Sequence, residues 1–228
     1  MPARMIEFPS NGSTTPGYLS VPEAGPGVGV IVIQEWWGLV DQVKRVADRL
    51  AAAGFTALAP DLYHGRAIGL DEPDEAGKAA MALDSDRAAR DLGGAVDALV
   101  GGSDARGATC GVVGFCMGGG LAVQLATLRP AVAACVDYYG VPGGDVELGR
   151  IRGEVLGHFA DHDDHASPAA AAELSRRLQA AGVVHEFHTY PDTQHAFFNE
   201  DRPTVHNAEA SQVSWERTLE FLRRRLAG

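Results

Sequence analysis

Gly114-Phe115-Cys116-Met117-Gly118 sets a thiol between two glycines, with Gly119 and Gly120 following. The run falls where a β-branched, apolar segment (109–115) gives way to a helical pattern (117–128). A small–X–nucleophile–X–small turn forces its central residue into a tight bend, which lifts the side chain clear of a sheet. The same bend aims a helix N-terminus at the reacting centre and leaves the Met117 N–H available to an oxyanion. Cysteine suits that slot, because its thiolate is a strong nucleophile and a helix N-terminus favours ionisation. Such a thiol needs a base, and the base an orienting acid. In nucleophile-elbow chemistry these follow in the order nucleophile, acid, histidine, each after a later strand. Ala160-Asp161-His162-Asp163-Asp164 supplies carboxylates after one expected strand. Pro191 to Phe198, holding His195, follows the next.

The elements that must carry these groups alternate in period. Short apolar runs predict strands over 28–33, 55–59, 109–115, 131–138, 154–159 and 183–190. Helical spacing predicts helices over 40–53, 84–100, 117–128, 168–181 and about 206–226, with Ser167 as N-cap and Pro168 at the first helical position. Residues 64–77, rich in Gly, Pro and acid, read as a loop or an excursion over the sheet. Strand–helix alternation predicts an α/β fold, a mostly parallel central sheet with helices on both faces, in one domain over 1–228.

Composition narrows the function. The chain has 228 residues, 46% of them hydrophobic, which is enough for a packed core. A net charge of −11 argues against nucleic acid and anionic membrane as partners. No apolar run approaches the length of a membrane span, and the first ten residues lack the form of an export signal. Three cysteines are too few for a disulfide framework, so a cytoplasmic protein with reduced thiols is expected.

Four segments together resemble the dienelactone hydrolase family, the cysteine-nucleophile branch of the α/β-hydrolase fold. They are Gln34-Glu35-Trp36-Trp37-Gly38, Pro60-Asp61-Leu62-Tyr63, the Cys116 elbow with Gly119, and His195-Ala196-Phe197. The likeness runs from about Pro16 to Leu226. It implies a carboxymethylenebutenolidase-like hydrolase of carboxylic esters or lactones, with Cys116 as nucleophile and His195 as base. It also implies that Glu35 interacts with the nucleophile and helps switch its thiol to thiolate when substrate binds, and that the N–H groups of Trp36 and Met117 form the oxyanion hole. The family's small–X–X–Asp pattern selects Asp163 as the acid. Counting back from Pro168 selects Asp164 instead, and Asp163 is preferred because the strand end is the better anchor.

The chain also departs from the family. Where the founding members carry a carboxylate-binding arginine four residues after the histidine, this sequence has Asn199. Near the other arginine, only Lys78 is found. Losing a bidentate fork weakens planar carboxylate recognition. Trp37, Tyr63, Lys78, Phe198 and Asn199 are the candidate substrate contacts, with Arg66 nearby. Trp36, Trp37 and Phe198 suit an apolar or aromatic acyl or alcohol group, and equally suit ordinary core and rim positions.

Other readings are weaker. His158, His162 and His165 among Asp161, Asp163 and Asp164 suggest a metal site, but residues four apart in a strand are separated by roughly 13 Å. A thiol sensor would need a resolving partner, and Cys110 lies in the same expected strand as Cys116. A non-hydrolytic thiol-dependent or ligand-binding protein on the same fold is the alternative. The expectation is a hydrolase working as a monomer on a small-molecule ester or lactone, with no metal and no organic cofactor.

Overall fold

The computed structural model describes residues 3–226. Met1 and Pro2, at the start of the N-terminus expected to lack a signal, and the last two residues of the expected 1–228 domain lie outside the described residues. The chain opens with β1 (Arg4–Ser10) and β2 (Ser13–Ser20), an antiparallel hairpin turned through Asn11 and Gly12 at φ +50° and +72°. Positive φ at both central residues matches the right-handed twist of the flanking strands. No element was expected there from periodicity, although an Asn-Gly pair is the sequence signal for this hairpin.

The alternating elements follow: β3 (Val28–Ile33), α1 (Asp41–Ala52), β4 (Thr56–Pro60), α2 (Pro73–Ala82), α3 (Ser85–Gly101), β5 (Arg106–Phe115), α4 (Met117–Leu128) and β6 (Val132–Tyr138). The chain ends with β7 (Glu154–His162), α5 (Pro168–Ala180), β8 (His185–Gln194) and α6 (Ala208–Leu226). One eight-stranded sheet has the order β1-β2-β4-β3-β5-β6-β7-β8. β3 to β8 run parallel, and the β1–β2 and β2–β4 pairs are antiparallel. The α/β-hydrolase fold expected from the motifs is the fold observed. No helix among the described residues is long and apolar enough to cross a membrane.

β3 illustrates why the sheet is covered on both sides. Val30 and Val32 enter the core beneath α1 and α6, while Ile31 and Ile33 enter the core beneath α3, α4 and α5. Burying each such side chain is worth about 1.5–3 kcal/mol. After β3 the chain adds β4 on one side, then crosses to place β5 on the other. The carboxyl ends of β3 and β5 therefore flank the point where the winding reverses, which is where sheets of this kind open a crevice for ligand.

Two expectations about element limits need correction. The excursion expected over 64–77 becomes helical at Pro73, whose missing N–H is harmless at a helix start and is followed by Asp74 and Glu75 in the first turn. β7 and β8 run past the expected ends, to His162 and Gln194. A register shift between Ala160 and His162 lets the pair continue beyond the rest of the sheet.

Candidate active site

Cys116 joins β5 to α4 with φ +56° and ψ −121°, a conformation that costs a non-glycine residue strain. Its flanking glycines are there for contact rather than torsion. A Cβ on Gly114 would lie 1.9 Å from the Gly118 carbonyl oxygen, and one on Gly118 would lie 2.5 Å from that of Gln34. The second contact presses the start of α4 onto the end of β3. The elbow and the Gln34–Gly38 segment are thereby packed back to back. Met117 is the first residue of α4, so its N–H has no intrahelical acceptor. Among the described residues, no loop carbonyl takes the Trp36 N–H.

The thiol meets its partner across the sheet. His195 Nε2 lies 3.1 Å from Cys116 Sγ, and His195 Nδ1 lies 2.8 Å from Asp163 Oδ2. Asp163 is buried, and its Oδ1 accepts the N–H groups of His165 and Ala166 at 2.7 and 2.8 Å. Asp164, the other acid considered, is exposed and faces the cavity mouth. Burial works against charge on His195, but its bonds to Asp163 and Cys116 outweigh that and push it up to about 10. Burial would likewise lift Asp163, yet His195 and the two N–H groups hold it below the usual carboxylate range.

His195 is fixed by what surrounds it. The Asp161 carboxylate accepts the N–H groups of Asp192 and Thr193 at 3.0 and 2.9 Å, pinning the turn that precedes His195. Phe197 and Phe198 then plug into the core beneath α1 and α6. Phe198 stacks on Phe115 at 5.3 Å between ring centres, and Phe197 meets Tyr139 edge-on at 5.4 Å. The Arg49 guanidinium closes this cluster from α1, lying 4.3 Å from the Trp215 ring centre and 5.3 Å from that of Phe198. Asp192, Ala196 and Tyr139 share the positive φ of Cys116, so most of the strained non-glycine backbone converges on this end of the sheet.

Glu35 lies two residues past the end of β3 and is buried. Its Oε1 accepts from the Tyr139 hydroxyl at 3.1 Å and its Oε2 from Asn199 Nδ2 at 2.8 Å. Burial raises Glu35 above the usual carboxylate range, opposed by Asn199, by the charge of His195, by Tyr139 and by the charge of Arg202. No hydrogen bond joins Glu35 to Cys116 among the described residues, and Glu35 lies close enough to His195 for their charges to interact.

A cavity of about 230 Å³ opens over the thiol, lined by Trp36, Cys116, His165, His195, Arg202 and Val205, among others. Several expected substrate contacts lie elsewhere. Trp37 is buried among Ile68, Ala76 and Ala79, because the excursion folds over it, and Phe198 is buried in the core described above. Asn199 is wholly buried and occupied with Glu35. Lys78 is exposed and paired with Glu75, as is Arg66. Tyr63 stands behind the elbow with its hydroxyl 3.9 Å from Met117 Sδ, and burial, with the nearby Cys116, pushes it up to about 12. His158 is a core residue, each ring nitrogen engaged by a hydroxyl, of Tyr190 at 2.8 Å and of Thr218 at 3.1 Å.

Arg202 was not anticipated. From Ala196 onward the chain makes successive three-residue turns: Asn199 N–H to Ala196, Arg202 to Asn199, Val205 to Arg202. Every third residue thus returns to one side, which carries Arg202 and Val205 to the cavity wall. The guanidinium lies 5.7 Å from the Trp37 ring centre and forms no salt bridge among the described residues.

The dienelactone hydrolase family model matches residues 15–226. The chain is 33% identical to Protein usf of Aquifex pyrophilus, with 96% of this chain and 97% of that one covered. It is 30% identical to a protein of Aquifex aeolicus named "Putative carboxymethylenebutenolidase", over 96% and 97% of the two chains. Among solved structures, the "Putative Dienelactone Hydrolase" of Klebsiella pneumoniae superposes with a TM-score of 0.87 at 25% identity, covering 97% of this chain and 98% of that one.

Proposed function

The chain belongs to the dienelactone hydrolase family and is a hydrolase of ester or lactone type, and from that premise we propose that it works through a thioacyl-enzyme on Cys116. The observation that carries the proposal is the unbroken line Asp163–His195–Cys116, at 2.8 and 3.1 Å. His195 takes the thiol proton, and the Cys116 sulfur bonds to the substrate carbonyl carbon. The carbonyl oxygen becomes an oxyanion facing the N–H groups of Trp36 and Met117. The carbon–oxygen ester bond then breaks, and the alkoxide leaves with the His195 proton. Water, deprotonated by His195, attacks the thioester, and the thiolate departs as the acid is released. Asp163 keeps the imidazole in place throughout, and Glu35 favours the imidazolium through its charge.

The substrate is a small ester or lactone. Arg202 supports one that carries an anionic group, since it lines the cavity and forms no salt bridge among the described residues. The enzyme acts as a single-domain cytoplasmic monomer, in keeping with the free thiols of Cys110, Cys116 and Cys135. Light scattering tests the oligomeric part of that statement.

The chemistry is tested by mass spectrometry of the intact protein during turnover of p-nitrophenyl acetate, using wild type, Cys116→Ala and Cys116→Ser. A transient acetyl adduct on Cys116 with sustained p-nitrophenol release is the expected result. Neither adduct nor turnover in the wild type, or full activity in Cys116→Ala, would overturn it in favour of a non-hydrolytic thiol-dependent or ligand-binding role.

A further inference from the structure

Two side chains outside the cavity lining hold a second buried carboxylate, Glu35, near the base that Asp163 already bonds. Asn199 is fully buried, and both ends of its amide are committed: Oδ1 accepts the Asp201 N–H at 3.1 Å, which leaves Nδ2 to point at Glu35. Tyr139 is held at φ +41° with its ring edge-on to His195, 5.1 Å between centres, and its hydroxyl donates to the other Glu35 oxygen. An amide nitrogen can only donate, so it favours the carboxylate over the acid. A cation at position 199 would satisfy the same oxygen but cancel its charge. Two neutral donors satisfy Glu35 and leave its negative field for the imidazole beside it. A glutamate that swung over to collect the thiol proton would have to break both bonds.

We propose that Asn199 and Tyr139 are positioning residues, a neutral clamp that fixes Glu35 as a carboxylate beside His195, where its charge favours the imidazolium that forms as His195 draws the Cys116 proton. This rests on the Cys116–His195 chemistry proposed above. Other ionisable groups also face the pair. Asp163 and the His165 ring adjoin His195, Tyr63 and Tyr139 lie near Cys116, and Arg202 acts on Glu35 from the cavity wall. Of these, only Tyr139 bonds to Glu35.

The test is the pH profile of Cys116 alkylation by iodoacetamide in the free protein, read beside kcat and KM for p-nitrophenyl acetate. Wild type, Asn199→Leu, Tyr139→Phe, Glu35→Gln and the Asn199→Leu/Glu35→Gln double variant are compared. Asn199→Leu and Tyr139→Phe should each move the acid limb of alkylation up by about one pH unit. Their kcat should fall severalfold at pH 6 with KM little changed. Glu35→Gln should shift at least as far, and adding Asn199→Leu to it should shift no further, since the clamp acts through Glu35. Tyr139→Phe removes one hydroxyl and keeps the packing, so it decides the matter if the leucine variant does not fold.

Unshifted alkylation profiles in single variants that fold overturn the clamp, as does an Asn199→Leu shift that persists undiminished without Glu35. Absence of ester turnover in a wild type whose variants still shift would sink the hydrolase mechanism and leave the clamp standing.

Discussion

The Asp161 carboxylate, on β7, receives the Thr193 N–H from β8 at 2.9 Å. That bond ties together the two strand ends from which Asp163 and His195 depart, two residues beyond each partner. Asp161 lies in the same acidic segment as Asp163, but its carboxylate is taken up by the backbone of β8 rather than by His195.

Asp161→Ala should therefore lower kcat by about tenfold, as expected when a reacting group loses its alignment. KM should change little, because Asp161 lies outside the cavity wall. Steady-state kinetics on p-nitrophenyl acetate check this, and an unchanged kcat would show that the strand pairing alone suffices.

The His195 proton sets the alkaline behaviour. With its ionisation pushed up to about 10, His195 keeps the proton that the leaving alkoxide needs across neutral pH and gives it up above that range. kcat/KM should hold from neutral pH upward and fall as pH rises through about 10. Asp163→Asn, which removes the negative charge beside His195 Nδ1, should bring the fall to lower pH. A pH-stat profile with an alkyl ester measures both limbs, and a decline near 7 in the wild type would contradict the assignment.

Arg202→Met should separate charged from neutral substrates. For a half-ester of a dicarboxylic acid, loss of a charge-assisted bond should raise KM by roughly 10–100-fold. Turnover of p-nitrophenyl acetate should stay near wild type. Equal losses on both substrates would mean that Arg202 supports the cavity rather than reading a substrate charge.

Gly118→Ala probes the close approach beneath the elbow. The new Cβ would meet the carbonyl oxygens of Gln34 and Ile33 at 2.5 and 2.6 Å, both backbone atoms with no freedom to turn aside. A destabilisation of about 1–3 kcal/mol is expected, with loss of ester turnover from the displaced nucleophile. A thermal melt equal to the wild type would show that β3 and α4 can part without cost.

How much of this could be read from the chain varies with how local the signal is. Cys116, Asp163 and His195 were legible because each lies in a short motif at a strand end, and strand order alone brings the three together. Glu35 was legible in position but not in partners, since Tyr139 and Asn199 reach it from far along the chain. Trp37 and Phe198 were misassigned because an aromatic just past a strand can turn to the cavity or to the core, and only the packing of residues 68–79 and of α6 decides. Arg202 left no periodic trace. The repeating three-residue turn that carries it to the wall is made of backbone bonds that no side-chain pattern announces. The extra length of β7 and β8 was hidden because the residues beyond Ala160 and Tyr190 are polar or proline and carry no apolar run.

Phe197 and Phe198 have a consequence for how this protein fails. The base is rooted through them in the core beneath α1 and α6, among the most deeply packed parts of the molecule. It has no independent segment on which to loosen while the rest holds. Heating should therefore spare the reactive alignment until the sheet itself gives way, so that catalytic decay and loss of tertiary signal trace a single curve.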